Sequence, residues 1–484
     1  GGGFATNYSY NDANELEQMN EASGANKVIF GYNDLGQRTD TWYNSLLDVI
    51  YNSNGDIIPP SAAAHTHYTY DDAGKLTNIK TIAVSGPVTL SDLTYSYAVP
   101  TGSTCPGAAT GLSTSSKQSV TDNMTAITTS YCYDVLGRLT SATTPGGATY
   151  SYGWDKNTNR TSDDLGTHIY NDNDQVDESG TVFDGAGNLT ESTVFDSIDY
   201  NGINQTKEIT PAGQSAVPFA YAGSGQADRT LAGSTTAQNG TLGVQTETTG
   251  SALTSYVREP SGNLVYQKLS SGQTFYYYFD GLGSVIGQMD SGGNQRAKYT
   301  YDPFGAHATE TGINGTAPAN PWRWMGGYLD SSTGLYHFGE RYYHPAFARF
   351  LQVDPIRGGC ANSYSYVYGD PINAQDLSGL ACGPVVAKFA EYAGIYGLYT
   401  SAVDALHGKG GWKDTRRQVG FNVIKVAAAA FHTKILKTQG EIVTPRPANF
   451  PQIVKWAEAV STLAAAGIVI GTGVDAYCKY TAVE

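Results

Sequence analysis

KYTYDPFG (298–305), NPWRWMGGYLDSSTGLYHFGERYYHPAFARFLQVDPI (320–356) and NSYSYVYGDPINAQDLSGL (362–380) lie at the join between two unlike parts of a 484-residue chain. Upstream, the sequence is a loose tandem repeat. Downstream it turns alanine-rich, with apolar residues at helical spacing. A segment at such a join closes one structure and separates it from another. It contains two aspartates, Asp354 in VDP and Asp376 in QDLSGL, 22 residues apart and just upstream of the change in composition.

Toward the N-terminus, an aromatic residue, then Asp or Asn, a short turn with Gly, and Leu, Val or Arg recur. The clearest copies are YNDLGQR from Tyr32, YDDAGKL from Tyr70, YDVLGRL from Tyr133, FDGAGNL from Phe183, FDGLGSV from Phe279 and YDPFGAH from Tyr301. Looser copies begin at Tyr10, Trp154, Tyr170 and Tyr200. Each reads as a β-hairpin: the Asp or Asn side chain bonds its own backbone and the Gly takes the φ > 0 position. Flanking residues such as Tyr131-Cys132-Tyr133 and Tyr276-Tyr277-Tyr278 read as strands. One hairpin is barely stable in water, so successive units pair edge to edge and stack Tyr on Tyr. The expectation is an elongated, twisted sheet with inward-facing Tyr, Leu and Val. The stretches 80–130, around PTGSTCPGAATG, and 205–255 read as surface loops.

The 298–380 block resembles the Rhs-associated core, the closing module of the Rhs/YD-repeat family. The matching residues are Gly326-Gly327-Tyr328, Gly334-Leu335-Tyr336, Arg341-Tyr342-Tyr343, Arg349-Phe350, Asp354-Pro355, Tyr364 to Tyr368, Asp370-Pro371 and Asp376 to Leu380. That family includes bacterial polymorphic toxins, the shell component of insecticidal toxin complexes and the teneurins. The resemblance implies a mainly β fold: a YD-repeat ribbon (1–297) spiralling into a partial or complete shell, closed by the core (298–380). A variable C-terminal domain (381–484) follows. It also implies a secreted or cell-surface protein of bacterial type. Its partners would be its own C-terminal segment and a toxin-delivery apparatus, an immunity protein or further copies of itself.

In the toxin branch, two core aspartates act as an aspartic-protease-like pair that cuts after the Leu of a DPxGL motif. Carried over, the pair is Asp354 and Asp376, the scissile bond is Leu380–Ala381, and the assisting arginine is Arg341, with Arg349 competing. Two close carboxylates do not easily both ionise, so they share a proton. A tethered target bond adds a high effective concentration. This chain departs from the motif: Leu377 stands where the family has Pro. Taken alone, both aspartates also read as turn formers. Arg341 alone reads as a structural ion pair or as a cation stacked on Tyr342 or Tyr343.

Composition agrees with turn-rich β-structure: charged residues are 15%, with 57 Gly and 35 Tyr. The net charge of −15 is uneven, since residues 381–484 carry eleven Lys and Arg against seven Asp and Glu. An acidic body attracts such a tail, and the need of β-turns for Asp explains the same acidity. Cys105, Cys132, Cys360, Cys382 and Cys478 are too few and too scattered for a disulfide framework or a zinc site. With no phosphate loop, HExxH or nucleophile elbow either, no cofactor and no metal are expected. The Tyr repeats read as core packing, so the β-body is expected to bind no nucleic acid. No signal peptide is visible, and the GGGF start reads as a processed fragment or an incompletely defined N-terminus. The longest apolar run, Ala459 to Val474, falls short of the roughly 20 residues of a membrane helix, so no transmembrane helix is expected.

After Leu380, CGPVVAKFAEYAGIYGLYTSAVDAL, Thr415 to Lys437 and Phe450 to Ala476 fit three helices of a small bundle. His407, His432, Asp404, Asp414, Glu441 and Arg416-Arg417 match no spacing that identifies an active site; a solvated surface is the simpler account. Two functions compete. One is a shell that encloses or presents a C-terminal effector and cuts itself once, as a single-turnover autoprotease. The alternative is an extracellular structural or adhesive protein, its repeat body and helical tail serving as assembly elements without cleavage.

Overall fold

The repeat turns form for the reason their residues suggest. In the computed structural model, Asp134 Oδ1 accepts the N–H groups of Leu136 and Arg138, each at 2.9 Å. Asp71, Asp184 and Asp280 do the same toward the residues two and four positions on. Asn33, Asn171 and Asn201 repeat the pattern. The fourth residue of the turn is left-handed, as at Gly137 with φ 82°. Where Gly is missing, Asn14, Thr158, Asp174 and Asn204 adopt φ values between 59 and 66°.

The structure describes residues 5–380 except 54–56, 85, 101–104, 106–113, 307, 314–316 and 357–361. The expected helical domain 381–484, with Ala381 and the tail's polar candidates, lies outside the described residues. Within them the strands pair antiparallel in chain order. Eleven strands from Thr6–Tyr10 to Thr149–Ser151 make a first sheet, and twelve from Phe195–Tyr200 to Thr309–Gly312 make a second. Short pieces between Gly153–Trp154 and Leu189–Glu191 link them. The core block adds a four-stranded sheet: Tyr328–Asp330, Leu335–Phe338, Arg341–His344 and Arg349–Phe350. Among the described residues there is no α-helix, and no helix is long and apolar enough to cross a membrane.

Packing places the second sheet between the other two. Met19, Val28, Phe30, Tyr43 and Ala64 of the first sheet share one apolar cluster with Tyr266, Tyr276, Tyr278 and Met289 of the second. On the opposite face, Tyr256, Tyr277, Val285 and Tyr299 pack against Trp322 and Tyr328 of the core block. The strand Thr274–Phe279 therefore has no solvent face, and Tyr276, Tyr277 and Tyr278 are at most 1% exposed. A strand buried on both sides needs a continuous apolar run rather than alternation, which accounts for three tyrosines in a row. The far end of the first sheet (Tyr131, Leu139), with Tyr152 just beyond it, closes on Phe304 and Ala348. Phe195, Ile198, Ile209 and Phe219 close on Leu335, Tyr342 and Leu351. The ribbon thus wraps the core block on several sides, as a shell segment closed from within.

Two expected loops are corrected. Residues 205–255 form the strands Thr206–Pro211, Val217–Tyr221, Arg229–Ala232, Thr235–Gly240, Gly243–Thr249 and the first part of Ala252–Arg258. The 80–130 stretch contains Val88–Ser96, Ser119–Asp122 and the start of Ile127–Tyr133, while most of its PTGSTCPGAATG centre lies outside the described residues. These segments lack the Tyr-Asp signature, but Thr, a good strand former, alternates through them and pairs across strands. Thr235 and Thr249 hydroxyls, for example, lie 2.7 Å apart. Among the described residues Cys105 and Cys132 form a disulfide with Cα atoms 5.3 Å apart, while Cys360, Cys382 and Cys478 lie outside them. The intervening strand pairing brings together a couple that the spacing alone does not mark.

Thr158, at φ 64°, is the β-branched member of the left-handed set. That conformation costs an L-residue about 1–2 kcal/mol. Gly relieves it and gives back about 0.5–1 kcal/mol in unfolded-chain entropy. Thr158→Gly is therefore expected to stabilise the body by ~0.5–1 kcal/mol, seen as a higher urea midpoint. An unchanged or lower midpoint would show that the turn carries no strain there.

Candidate active site

Three segments converge on the predicted residues. Arg341 opens the strand Arg341–His344, Asp354 lies just beyond Arg349–Phe350, and Asp376 begins the DLSGL segment. That segment crosses directly over the Phe338–Arg341 turn. A Cβ on Gly339 would collide with the Ser378 carbonyl, and one on Gly379 with the Phe338 carbonyl. The Glu340 N–H donates to the Ser378 carbonyl at 2.9 Å. From the second sheet side, Gln226 braces the same turn: its N–H donates to the Glu340 carboxylate and its Nε2 to the Glu340 carbonyl, at 2.6 and 2.8 Å.

Arg341 is 1% exposed and lies at the centre of the site. Its Nη2 is 3.0 Å from Asp354 Oδ2 and 3.3 Å from Asp376 Oδ2. The two carboxylates therefore face one nitrogen, and the sum of these distances is the most their oxygens can be apart. Nη1 donates to the Ser363 carbonyl at 3.0 Å, and Nε donates to the Gly379 carbonyl. The guanidinium lies 3.6 Å above the Phe350 ring. This corrects the expected stacking on Tyr342 or Tyr343. Successive strand residues point to opposite faces, so Tyr342 turns away and bonds Tyr221 at 2.8 Å. Arg349 is not part of the site; it donates to Asn159 at 3.0 Å and lies over the rings of Tyr170 and Tyr364.

Asp376 combines both readings of its side chain. Oδ1 accepts the Leu380 N–H at 3.2 Å and the Ser378 hydroxyl at 3.0 Å, while its own N–H donates to the Tyr366 hydroxyl at 3.2 Å. The bond to the residue four on, with left-handed Gly379 (φ 65°) at the fourth position, matches the repeat turns, whereas the contact two on is to the Ser378 hydroxyl in place of its N–H. Asp376 is thus a repeat-type turn former whose second oxygen is turned onto Arg341. Leu377, in the place of the family's Pro, leaves that turn closed. The Gly379–Leu380 peptide is held at both ends, its carbonyl by Arg341 and its N–H by Asp376.

Two buried carboxylates converge on one buried guanidinium. Burial pushes the Asp354 carboxyl above its ordinary value, against the opposing pull of Arg341 and the Ile356 N–H. Burial also lowers Arg341, against the pull of both aspartates. One proton on the pair discharges the site. The guanidinium fills the place between the carboxylates that a metal ion would take. Sequence reasoning missed Phe350, Ser363, Tyr366, Ser378 and Gln226, which orient the charged groups. Phe350, Tyr366 and Ser378 lie within the matched motifs without a role of their own there, and Ser363 and Gln226 act through main-chain or amide contacts that no local motif marks.

Parts of the chain are similar to parts of several much longer proteins. Residues 245–357 match the Teneurin YD-shell family model. The tRNA3(Ser)-specific nuclease WapA of Bacillus spizizenii is 33% identical over 156 residues, 31% of this chain and 7% of that protein. Toxin protein Tse5 of Pseudomonas aeruginosa is 33% identical over 129 residues, 26% of this chain and 10% of that protein. The crystal structure of TcdB2-TccC3 superposes with a TM-score of 0.56 at 21% identity, covering 78% of this chain and 22% of that one. The chain therefore spans a small fraction of each relative.

Removing the central cation is expected to destabilise the protein. Arg341→Met strands two buried carboxylates, a loss of about 3–5 kcal/mol at neutral pH. Asp354 has a folded value above its unfolded one. Its contribution is therefore fully present below the unfolded value and is lost as pH rises through the folded value. In the variant, protons take over part of the guanidinium's role, so the loss should shrink on acidification. Denaturation of both proteins across this pH range checks it; a pH-independent difference would contradict it.

Proposed function

Because the chain belongs to the Rhs/YD-repeat family of β-shell proteins, we propose that it is the closing part of a toxin-type shell. In this reading residues 1–297 form the ribbon, 298–380 the core, and 381–484 an effector-like segment that the shell encloses or presents. Asp354 and Asp376 cut Leu380–Ala381 once and free that segment from covalent attachment. The observation that supports this is the double grip on the Gly379–Leu380 peptide, one bond before the proposed cut, beside two carboxylates that share one cation.

The chemistry assigned to each group follows from its environment. Asp354, whose proton is held more tightly by burial, serves as the acid. Asp376, on Arg341 and two further donors, stays ionised and serves as the base. Asp376 takes a proton from water, the water oxygen bonds to the Leu380 carbonyl carbon, and the C–N bond breaks. The Ala381 nitrogen leaves with the proton from Asp354. Arg341 acts by position: it fixes the preceding carbonyl and sets the charge balance of the pair. The segment is tethered, so orientation comes with the fold.

The disulfide Cys105–Cys132 fits a protein that works in an oxidising compartment, outside the reducing cytosol. This supports secretion or surface display, with a delivery apparatus, an immunity protein or further copies as partners.

The test is the chain itself under denaturing conditions. The native sequence should yield a fragment whose N-terminus is Ala381, and Asp354→Asn or Asp376→Asn should remain full-length. Asn at 376 keeps the turn, since Asn33, Asn171 and Asn201 close the same turn in the repeats. Cleavage should slow as pH rises through the folded value of Asp354, because the acid form is consumed. A native chain that stays intact after prolonged incubation on the acidic side would favour the structural, non-cleaving role.

A further inference from the structure

The first sheet carries a second constellation that the cleavage chemistry does not use. Asp40 lies in the strand Arg38–Ser45, and His65 and His67 lie in its neighbour Ala64–Tyr70. In the register, Asp40 stands opposite His67 and Trp42 opposite His65. Positions 65 and 67 share one face, because strand side chains alternate with period two. Their neighbours Ala64 and Thr66 point to the buried side. The His65 Nε2 and His67 Nδ1 atoms both approach the same oxygen, Asp40 Oδ1, at 2.7 and 2.8 Å. One donor atom from each of the three residues falls within 4.8 Å of the others.

We propose that Asp40, His65 and His67 form a binding site for a divalent transition-metal ion, Zn2+ being the type case. Two imidazole nitrogens and one carboxylate oxygen are a donor set for Zn2+, Ni2+ or Cu2+ rather than for Mg2+ or Ca2+, which prefer oxygen. Convergence of two imidazoles on one carboxylate oxygen is the arrangement an ion at about 2.0–2.2 Å from each ligand would complete after small ring rotations. The surroundings suit a cation. Lys80, opposite His67 on the next strand, is engaged by Asp92 at 3.0 Å. Gly31, opposite Asp40 on the other side, adds no side chain. The ring of Trp42 stacks on His65 with centroids 5.1 Å apart and planes within 5°, which fixes that ligand's orientation. Access is available, since the His67 side chain is 53% exposed while Asp40 and His65 are 18 and 22% exposed. Three protein ligands leave further coordination positions toward solvent, for water or for a ligand from another protein.

The experiment is calorimetric titration of ZnCl2 into the tag-free full-length protein with its thiols alkylated. Expected is one ion per chain, with affinity at least tenfold weaker in His67→Ala and in Asp40→Asn. Neither MgCl2 nor CaCl2 should compete. A second readout is independent of heat: Cu2+ should quench tryptophan fluorescence, and Trp42→Phe should remove most of that quench. His67 is half exposed and Asp40→Asn is isosteric, so folded variants are expected, as circular dichroism would confirm. Zinc affinity unchanged in both variants, or no binding by the native chain, overturns the proposal.

Discussion

A buried guanidinium held between two buried carboxylates is the constraint on which the closing block depends. Each of these charges costs several kcal/mol to bury alone and is tolerable only beside the others. Arg341 comes from one hairpin, Asp354 from beyond the next strand, and Asp376 from the chain's last described segment. Neither carboxylate has this cation until its own segment reaches Arg341, so the three segments are tied together at one point. The same requirement draws DLSGL down onto the Phe338–Arg341 turn and places Leu380 beside the pair.

The rest of the body uses the same device in simpler form. Arg229 pairs with Asp330 at 2.5 Å, reaches the Tyr342 hydroxyl and lies over the Tyr328 ring. Arg38 joins Glu259 at 2.6 Å and so ties the first sheet to the second, with its cation over Phe30. Arginine suits these places because it offers several donors in a plane and a flat face for aromatic rings. Some buried tyrosines follow a related rule: their rings fill the layers while their hydroxyls find acceptors, Tyr277 on Gln267 at 2.7 Å and Tyr299 on Gln288 at 2.9 Å. An interior built this way is specific in register, because a slip would strand both charges and hydroxyls.

The proposed site grows out of the repeat rather than being added to it. The turn that closes each hairpin needs an Asp or Asn oxygen and a left-handed fourth residue, and DLSGL meets both demands. In a repeat turn the carboxylate's only task is local. At Asp376 the fold adds Arg341 and a buried setting to an ordinary turn former, which is what the proposed cleavage draws on. Leu377 is compatible with this because the side-chain bonds of Asp376 define the turn.

The sequence by itself determined what rests on local chemistry. The aromatic–Asp/Asn–Gly copies specify hairpins, because the turn bonds are made within five residues. The ordered matches from Gly326 to Leu380 specified the closing block and its residues Arg341, Asp354 and Asp376. The Thr-rich strands of 205–255 were hidden because their pattern lacks the aromatic that marks a repeat, and their pairing is decided by neighbours. Tertiary structure alone decided that the second sheet lies in the middle, burying Tyr276, Tyr277 and Tyr278 together. It alone set Arg341 on Phe350, paired Cys105 with Cys132 and brought Asp40 to His65 and His67. Each of these is a contact between segments that no local rule relates, so only the register and stacking of whole sheets could fix it.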